Sequence, residues 1–261
     1  TITIYASRGV ILDRNGNPLV YNVPGFRQVV NGKTKIIDTN QALSLIAQGK
    51  KDLEVDSLRS YAYKEVFSHV LGYIGQISQD ELRQARFSDY SGGDLIGKMG
   101  IEQEYEEILK GTSGKQLVEV NSLGQTVRKL GQTDPTSGNN VTVTLDLPLQ
   151  KAAFEATKDV KRGAVVVTTP GGEVLALISK PSFDPNLFTL GQNYKPLSES
   201  SYLSVEDILT DDNNQPLLNR AISGAYPPGS TFKIVVAAAG LNNKIIDENF
   251  EVEDTGSIHV G

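Results

Sequence analysis

DLPLQKAAFEATKDVKRGAVVVTTPGGEVLALI, residues 146–178, changes character three times within one short stretch. Asp146 is a good N-cap, with Pro148 in the first turn behind it. Leu149, Ala152, Ala153, Ala156 and Val160 recur at helical spacing, and Gly163 is expected to end the helix. Ala164–Val167 reads as a buried strand, Thr169-Pro170-Gly171-Gly172 as a turn and Val174–Ile178 as a second strand. Helix, strand, turn, strand is the opening of a layered α/β unit, which places a domain boundary near Asp146.

Downstream, residues 183–215 are rich in Asn, Ser, Pro and Asp and read as loop. Pro227-Pro228-Gly229 then breaks the chain sharply, and Ser230–Leu241 reads as an apolar helix. It opens on Ser230-Thr231-Phe232-Lys233, an S-x-x-K tetrad. Positions i and i+3 share a helix face, so Lys233 can bring its amine to the Ser230 hydroxyl. Serine is a weak nucleophile until a base takes its proton. A lysine can serve when apolar surroundings lower its pKa, and Phe232, Ile234 and Val235 are expected to provide them. A helix start would also point free N–H groups at a developing oxyanion. The tetrad alone leaves a second reading open, a capping serine followed one turn later by a solvated lysine.

Upstream, Val10-Ile11-Leu12, the turn Asp13–Asn17 and the strand resuming at Leu19-Val20 read as a β-hairpin. Gln41–Gln48 fits one short amphipathic helix, and Lys50, Lys51, Asp52, Glu54 and Asp56 are expected to be solvated. Ser78 precedes Asp80 and Glu81 as a helix start. Glu102–Leu109 reads as an acidic helix closed by Gly111, its carboxylates forming a solvated face. Gln116–Val120 and Val141–Leu145 alternate as strands, separated by turns at Ser122-Leu123-Gly124 and Pro135–Gly138.

Composition narrows the function. A net charge of −6 without any Lys/Arg run argues against a nucleic-acid partner. With no cysteine there are no disulfides or thiolate metal sites. The two histidines, His69 and His259, lie far apart, so neither a metal nor a cofactor is expected, and His69 reads as a packed, hydrogen-bonded residue. Gly92–Lys98 spells G-x-x-x-x-G-K, but Met99 replaces the Ser/Thr that would hold Mg²⁺, so a phosphate loop is not expected. No stretch approaches the length of a membrane span. The chain opens on Thr1, not Met, and is expected to be a fragment whose anchor lies upstream.

Several ordered motifs resemble class B penicillin-binding proteins of the cell-elongation type. They are Arg8-Gly9-Val10-Ile11-Leu12-Asp13-Arg14-Asn15-Gly16, Ser68-His69-Val70-Leu71-Gly72-Tyr73-Ile74-Gly75, Gly97-Lys98-Met99-Gly100-Ile101-Glu102, Gly111–Lys115 and 163–185. Leu218-Asn219-Arg220-Ala221 followed by Tyr226–Lys233 is the most specific piece. The resemblance implies an α+β fold. A β-rich, elongated pedestal of the dimerisation type, residues 1–145, is followed by the start of a transpeptidase domain, residues 146–261. That domain is a serine β-lactamase-like α/β sandwich, incomplete at the C-terminus.

It implies a D,D-transpeptidase in which Ser230 attacks a D-Ala-D-Ala bond of peptidoglycan stem peptides, Lys233 assists, and β-lactams acylate the same serine. It also implies a place on the extracytoplasmic face of the bacterial cytoplasmic membrane. A membrane glycosyltransferase and other elongation-complex proteins are the implied partners. The family's S-x-N and K-[ST]-G motifs do not follow Lys233, so the isolated chain is expected to be inactive. Ser137-Gly138-Asn139 precedes the tetrad and is read as a coincidence. Two alternatives stand beside this reading, a non-catalytic scaffold for the glycosyltransferase and a class D-like β-lactamase or β-lactam sensor.

Overall fold

The structure is a computed structural model. It describes residues 1–261 except 31–32, 38, 50–52, 122–125, 192, 252, 254–255 and 257–261. Lys50, Lys51, Asp52, the Ser122–Gly124 turn and His259 therefore lie outside the described residues. The chain forms two compact units, Thr1–Ser223 and Gly224–Gly261.

In the first unit the strands are β1 (Ile2–Ile4), β2 (Ile11–Leu12), β3 (Pro18–Val30), β4 (Lys33–Ile37), β5 (Leu53–Tyr61), β6 (Ile74–Gln76), β7 (Leu95–Gly97), β8 (Gly114–Val120), β9 (Thr126–Thr133), β10 (Val141–Thr142), β11 (Gly163–Thr168) and β12 (Val174–Lys180). The long β3 is the spine of a five-stranded sheet. One edge pairs with β5 from Val20↔Tyr61 to Gln28↔Leu53, and the other meets β2 first and β4 later. The expected hairpin joins β2 to β3. Asp13 Oδ1 makes its turn by accepting from the Asn15 and Asn17 amides at 2.8 Å each. β10 returns alongside β2 in parallel, bringing Val141 opposite Ile11. β1, β8 and β9 form a second sheet, and β6–β7 and β11–β12 are two-stranded.

Three apolar clusters are buried among the described residues of this unit, two smaller ones around Ile77, Phe87 and Ile96 and around Phe183, Tyr202 and Ile208, and one larger. In the larger, Ile11, Leu19, Val20, Tyr61, Phe67, Leu71, Leu109, Val141 and Leu145 are buried, and Leu147 and Val174 pack against them. Each such aliphatic or aromatic side chain contributes about 1.5–3 kcal/mol on burial. The motifs 68–75 and 97–102 meet here, through β6 and β7, where Ile74 pairs with Gly97. Gly72 has φ +76, and a Cβ there would fall 1.9 Å from the Met99 carbonyl oxygen, so only glycine fits.

Around residue 146 the N-cap forms as expected, with Asp146 accepting from Leu149 N at 3.0 Å. The helix Leu147–Ala156 then stops well short of Gly163. Thr157 Oγ1 donates to the Ala153 and Phe154 carbonyls and so satisfies the last turn. Gly163 instead begins β11, whose residues alternate between half-buried and exposed. The Gln150 amide is fully buried and pairs with both backbone groups of Leu177. It accepts from Leu177 N at 2.8 Å, donates to Leu177 O at 2.9 Å, and also donates to Val66 O at 2.7 Å.

Candidate active site

The S-x-x-K tetrad lies in the second unit. Gly229 takes φ +53 after Pro228, and Gly229–Phe232 form a single 3-10 turn. The α-helix begins only at Lys233 and runs to Asn242, so Ser230 sits in the tighter turn ahead of it. The Lys233 amide donates to the Ser230 carbonyl, which closes the turn and sets the two residues one turn apart. The Thr231 hydroxyl donates to the Pro228 carbonyl across the same turn. Ser230 and Lys233 are both exposed.

The apolar neighbours expected to bury the lysine do not do so. Phe232, Ile234 and Val235 are 52%, 76% and 56% exposed. The reason is packing. Every buried residue among those described lies at or before Arg220, so the described residues of 224–261 bury no side chain that could fold over the helix.

The carboxylates of residues 102–109 are placed differently from the expected solvated face. Two short helices, Gly100–Glu104 and Glu106–Leu109, replace the single helix. Glu104 and Glu107 are exposed, but Glu102 and Glu106 are buried. Arg59 Nε donates to Glu102 Oε1 at 2.7 Å, and Arg8 Nε donates to Glu102 Oε2 at 3.1 Å. Arg8 Nη2 reaches Glu106 Oε2 at 2.8 Å, the Tyr90 hydroxyl donates to Glu106 Oε1 at 2.8 Å, and Gly97 N donates to Glu106 Oε2 at 2.8 Å. Arg59 Nη1 donates to Gly9 O at 2.8 Å, and Asn22 Nδ2 donates to Arg8 O at 2.6 Å. Burial works against the Arg8 charge, but Glu102 and Glu106 outweigh it and push its pKa up. These groups are locked to each other and to backbone, which suits a structural knot and not proton exchange with a substrate.

A second polar cluster surrounds His69, which is buried as expected. Its Nε2 lies 2.7 Å from the Pro216 carbonyl and its Nδ1 lies 3.1 Å from Ser68 Oγ. Its ring meets Phe183 edge-on at 5.4 Å. Burial lowers the His69 pKa to about 4. The Pro216 carbonyl opposes that shift, while Arg220 and Lys180 add to it. The imidazole is therefore neutral at pH 7 and donates from Nε2. Nearby, Asn186 pairs with both backbone groups of Tyr61, at 2.8 and 3.0 Å, and Asp184 accepts from Asn186 and from the Tyr194 hydroxyl. Gly92–Lys98 forms no phosphate loop. Its end is strand β7, and a Cβ on Gly97 would lie 2.0 Å from the Glu102 carbonyl oxygen. Among the described residues no group of three or more His, Asp or Glu is placed to hold a metal, and no helix is long and apolar enough to cross a membrane.

Comparison with known proteins agrees with this layout. Residues 50–143 match the penicillin-binding protein dimerisation domain, and residues 163–261 match the penicillin-binding protein transpeptidase domain. The chain is 42% identical over 209 residues to the peptidoglycan D,D-transpeptidase MrdA of Acinetobacter baumannii. That match covers 80% of this chain and 30% of the relative. It is 33% identical over 305 aligned residues to MrdA of Escherichia coli K12, covering 98% of this chain and 47% of the relative. The chain thus spans less than half the length of these relatives. Penicillin-binding protein 2 of Helicobacter pylori, solved in complex with MreC, superposes with a TM-score of 0.76 at 27% identity. That match covers 100% of this chain and 55% of the other. With both matched domains in the same order as the observed mixed α and β architecture, this chain belongs to the class B penicillin-binding proteins.

Proposed function

We propose that the chain is part of a peptidoglycan D,D-transpeptidase in which Ser230 is the nucleophile and Lys233 its base. The observation that carries this reading is the single turn closed by the Lys233 amide on the Ser230 carbonyl, set directly behind Pro227-Pro228-Gly229. Ser230 Oγ bonds to the carbonyl carbon of the D-Ala-D-Ala peptide while its proton passes to the Lys233 amine. The peptide C–N bond then breaks, and Lys233 returns the proton to the departing D-Ala amine. The amine of a neighbouring stem peptide next attacks the acyl ester, giving the cross-link and restoring the serine hydroxyl. A positioned base of this kind contributes about 10²–10⁴-fold. A β-lactam presents the same kind of carbonyl and would acylate the same oxygen.

Residues 1–145 serve in this reading as the pedestal and 146–261 as the first part of the catalytic domain, on the extracytoplasmic face of the cytoplasmic membrane. A second role for the pedestal in this reading is binding elongation-complex proteins and a membrane glycosyltransferase; the solved complex of the Helicobacter pylori relative with MreC supports a protein partner.

The test is labelling of the full-length gene product with a fluorescent penicillin, followed by peptide mass spectrometry. A stoichiometric adduct on Ser230, absent from Ser230→Ala, is the expected result. An adduct on another residue, or label retained by Ser230→Ala, rejects the assignment. Partner binding that survives Ser230→Ala separates the two roles.

A further inference from the structure

The turn that carries Ser230 is held by its own bonds. None of the described residues of 224–261 is buried, so no packed side chain of this unit sets the turn's shape. Pro228 leads in with φ −69, and Gly229 then takes φ +53, with no heavy atom within 4 Å of the place a Cβ would occupy. Glycine is therefore required there by conformation and not by crowding. Gly229–Phe232 follow as a 3-10 turn, closed by the Lys233 amide on the Ser230 carbonyl. Across its start the Thr231 hydroxyl donates to the Pro228 carbonyl. That oxygen is the acceptor an α-helical first turn would offer to the Phe232 amide, so the hydroxyl competes with the α register. The kind of turn matters for the chemistry. With about 3.0 residues per turn, positions i and i+3 eclipse, which puts Ser230 and Lys233 in line along the axis. With about 3.6 residues per turn the same two positions stand about 60° apart.

We propose that Thr231 is a positioning residue for acyl transfer at Ser230. Its hydroxyl, clipped to the Pro228 carbonyl, keeps the nucleophile turn in the tighter register that aligns Ser230 with Lys233. This rests on the transpeptidase reading above. The hydroxyl donates to backbone and takes no part in the bond changes, which belong to Ser230 and Lys233. Removing it acts on the proton path between those two residues, and catalytic geometry is sensitive to such a change. A shift of about 1 Å in a reacting group can cost about a hundredfold in rate. Recognition of the penicillin is left to other groups, so the effect falls on the acylation step and not on the binding that precedes it.

The experiment uses the full-length gene product and benzylpenicillin in excess. Stopped-flow kinetics separate the noncovalent dissociation constant from the acylation rate constant, and the melting temperature is measured alongside. Thr231→Val keeps the β-branched shape and removes the donor, whereas Thr231→Ser keeps the donor and removes the methyl group. The expected result is an about ten- to hundredfold lower acylation rate constant in Thr231→Val at an unchanged dissociation constant, with most of the rate recovered in Thr231→Ser. Under excess penicillin the rate constant does not depend on how much protein is folded. A wild-type rate constant in Thr231→Val overturns the proposal, whatever the melting temperature, because the hydroxyl would then serve only the fold. An equal loss in Thr231→Ser also overturns it, since the methyl group would then be what matters. A change confined to the dissociation constant overturns it too, since the side chain would then contact the ligand. If Thr231→Val does not accumulate, Thr231→Ala takes its place and is read against Thr231→Ser in the same way. Wild-type protein that takes no label on Ser230 defeats the transpeptidase reading first, and this inference falls with it.

Discussion

The knot of Arg8, Arg59, Glu102 and Glu106 and the turn of Ser230 and Lys233 are built in opposite ways. In the knot, partners lie far apart in sequence, every one of the four is nearly excluded from water, and each carboxylate accepts from at least two donors. In the turn, both residues come from one segment and both stand in solvent. The difference separates charges spent on architecture from residues kept free to react. A buried pair whose carboxylates are already filled by several donors has little capacity for a substrate, while an exposed serine and lysine cost the fold little and remain available.

This contrast can be broken most directly at Glu102. Glu102→Gln takes away the carboxylate that pairs with Arg59 and leaves Arg8 only Glu106, and urea unfolding should show a loss of about 3–5 kcal/mol. Exposed Glu104→Gln in the same helix should change stability by less than about 0.5 kcal/mol. Similar losses in the two variants would mean that the knot is not what holds these helices.

A smaller effect should appear with acid. His69 takes a proton near its ordinary pKa of 6.5 when unfolded but only at about 4 when folded. Between those values the unfolded chain binds more protons, so stability falls as pH drops from 6.5 toward 4. The full difference is about 3 kcal/mol. His69→Gln should flatten that part of the pH–stability curve, and an unchanged difference curve would show that His69 is not buried neutral. The smallest effect belongs to the turn. Ser230→Ala in this chain should alter unfolding free energy by no more than about 0.5 kcal/mol, and a larger loss would give Ser230 a structural role that its exposure does not suggest.

The sequence disclosed what depends on neighbours along the chain. The Asp13–Asn17 hairpin, the helix start at Ser78 and the Asp146 cap all formed where turn and capping chemistry placed them. It did not disclose what depends on distant partners. Glu102 and Glu106 sit in an acidic run that reads as solvated, because Arg8 and Arg59, which make their burial possible, are far away in sequence. Asp56 likewise falls among charges read as exposed, yet it is buried within β5 and accepts from the Ser57 amide. β5 itself was hidden by its charged residues.

One missed element did leave a signal. Ser204-Val205-Glu206-Asp207 inside the stretch read as loop carries the spacing of a reciprocal cap, and the helix Val205–Thr210 starts there. The candidate site was legible as a motif, and its Pro-Pro-Gly lead-in did break the chain before the turn. The burial expected around Lys233 was not realised, since none of the described residues of 224–261 is buried.

The Gln150 side chain occupies both the donor and the acceptor of Leu177, as a neighbouring strand would. A glutamine amide thereby acts as a stopper on that flank of β12, because a new strand arriving there would have to displace a buried group already bonded to helix, strand and turn. The Asp146 amide, which donates to the Leu175 carbonyl at 2.8 Å, adds to the same closure, so helix start and helix side chain together shut this flank of β12 to another strand.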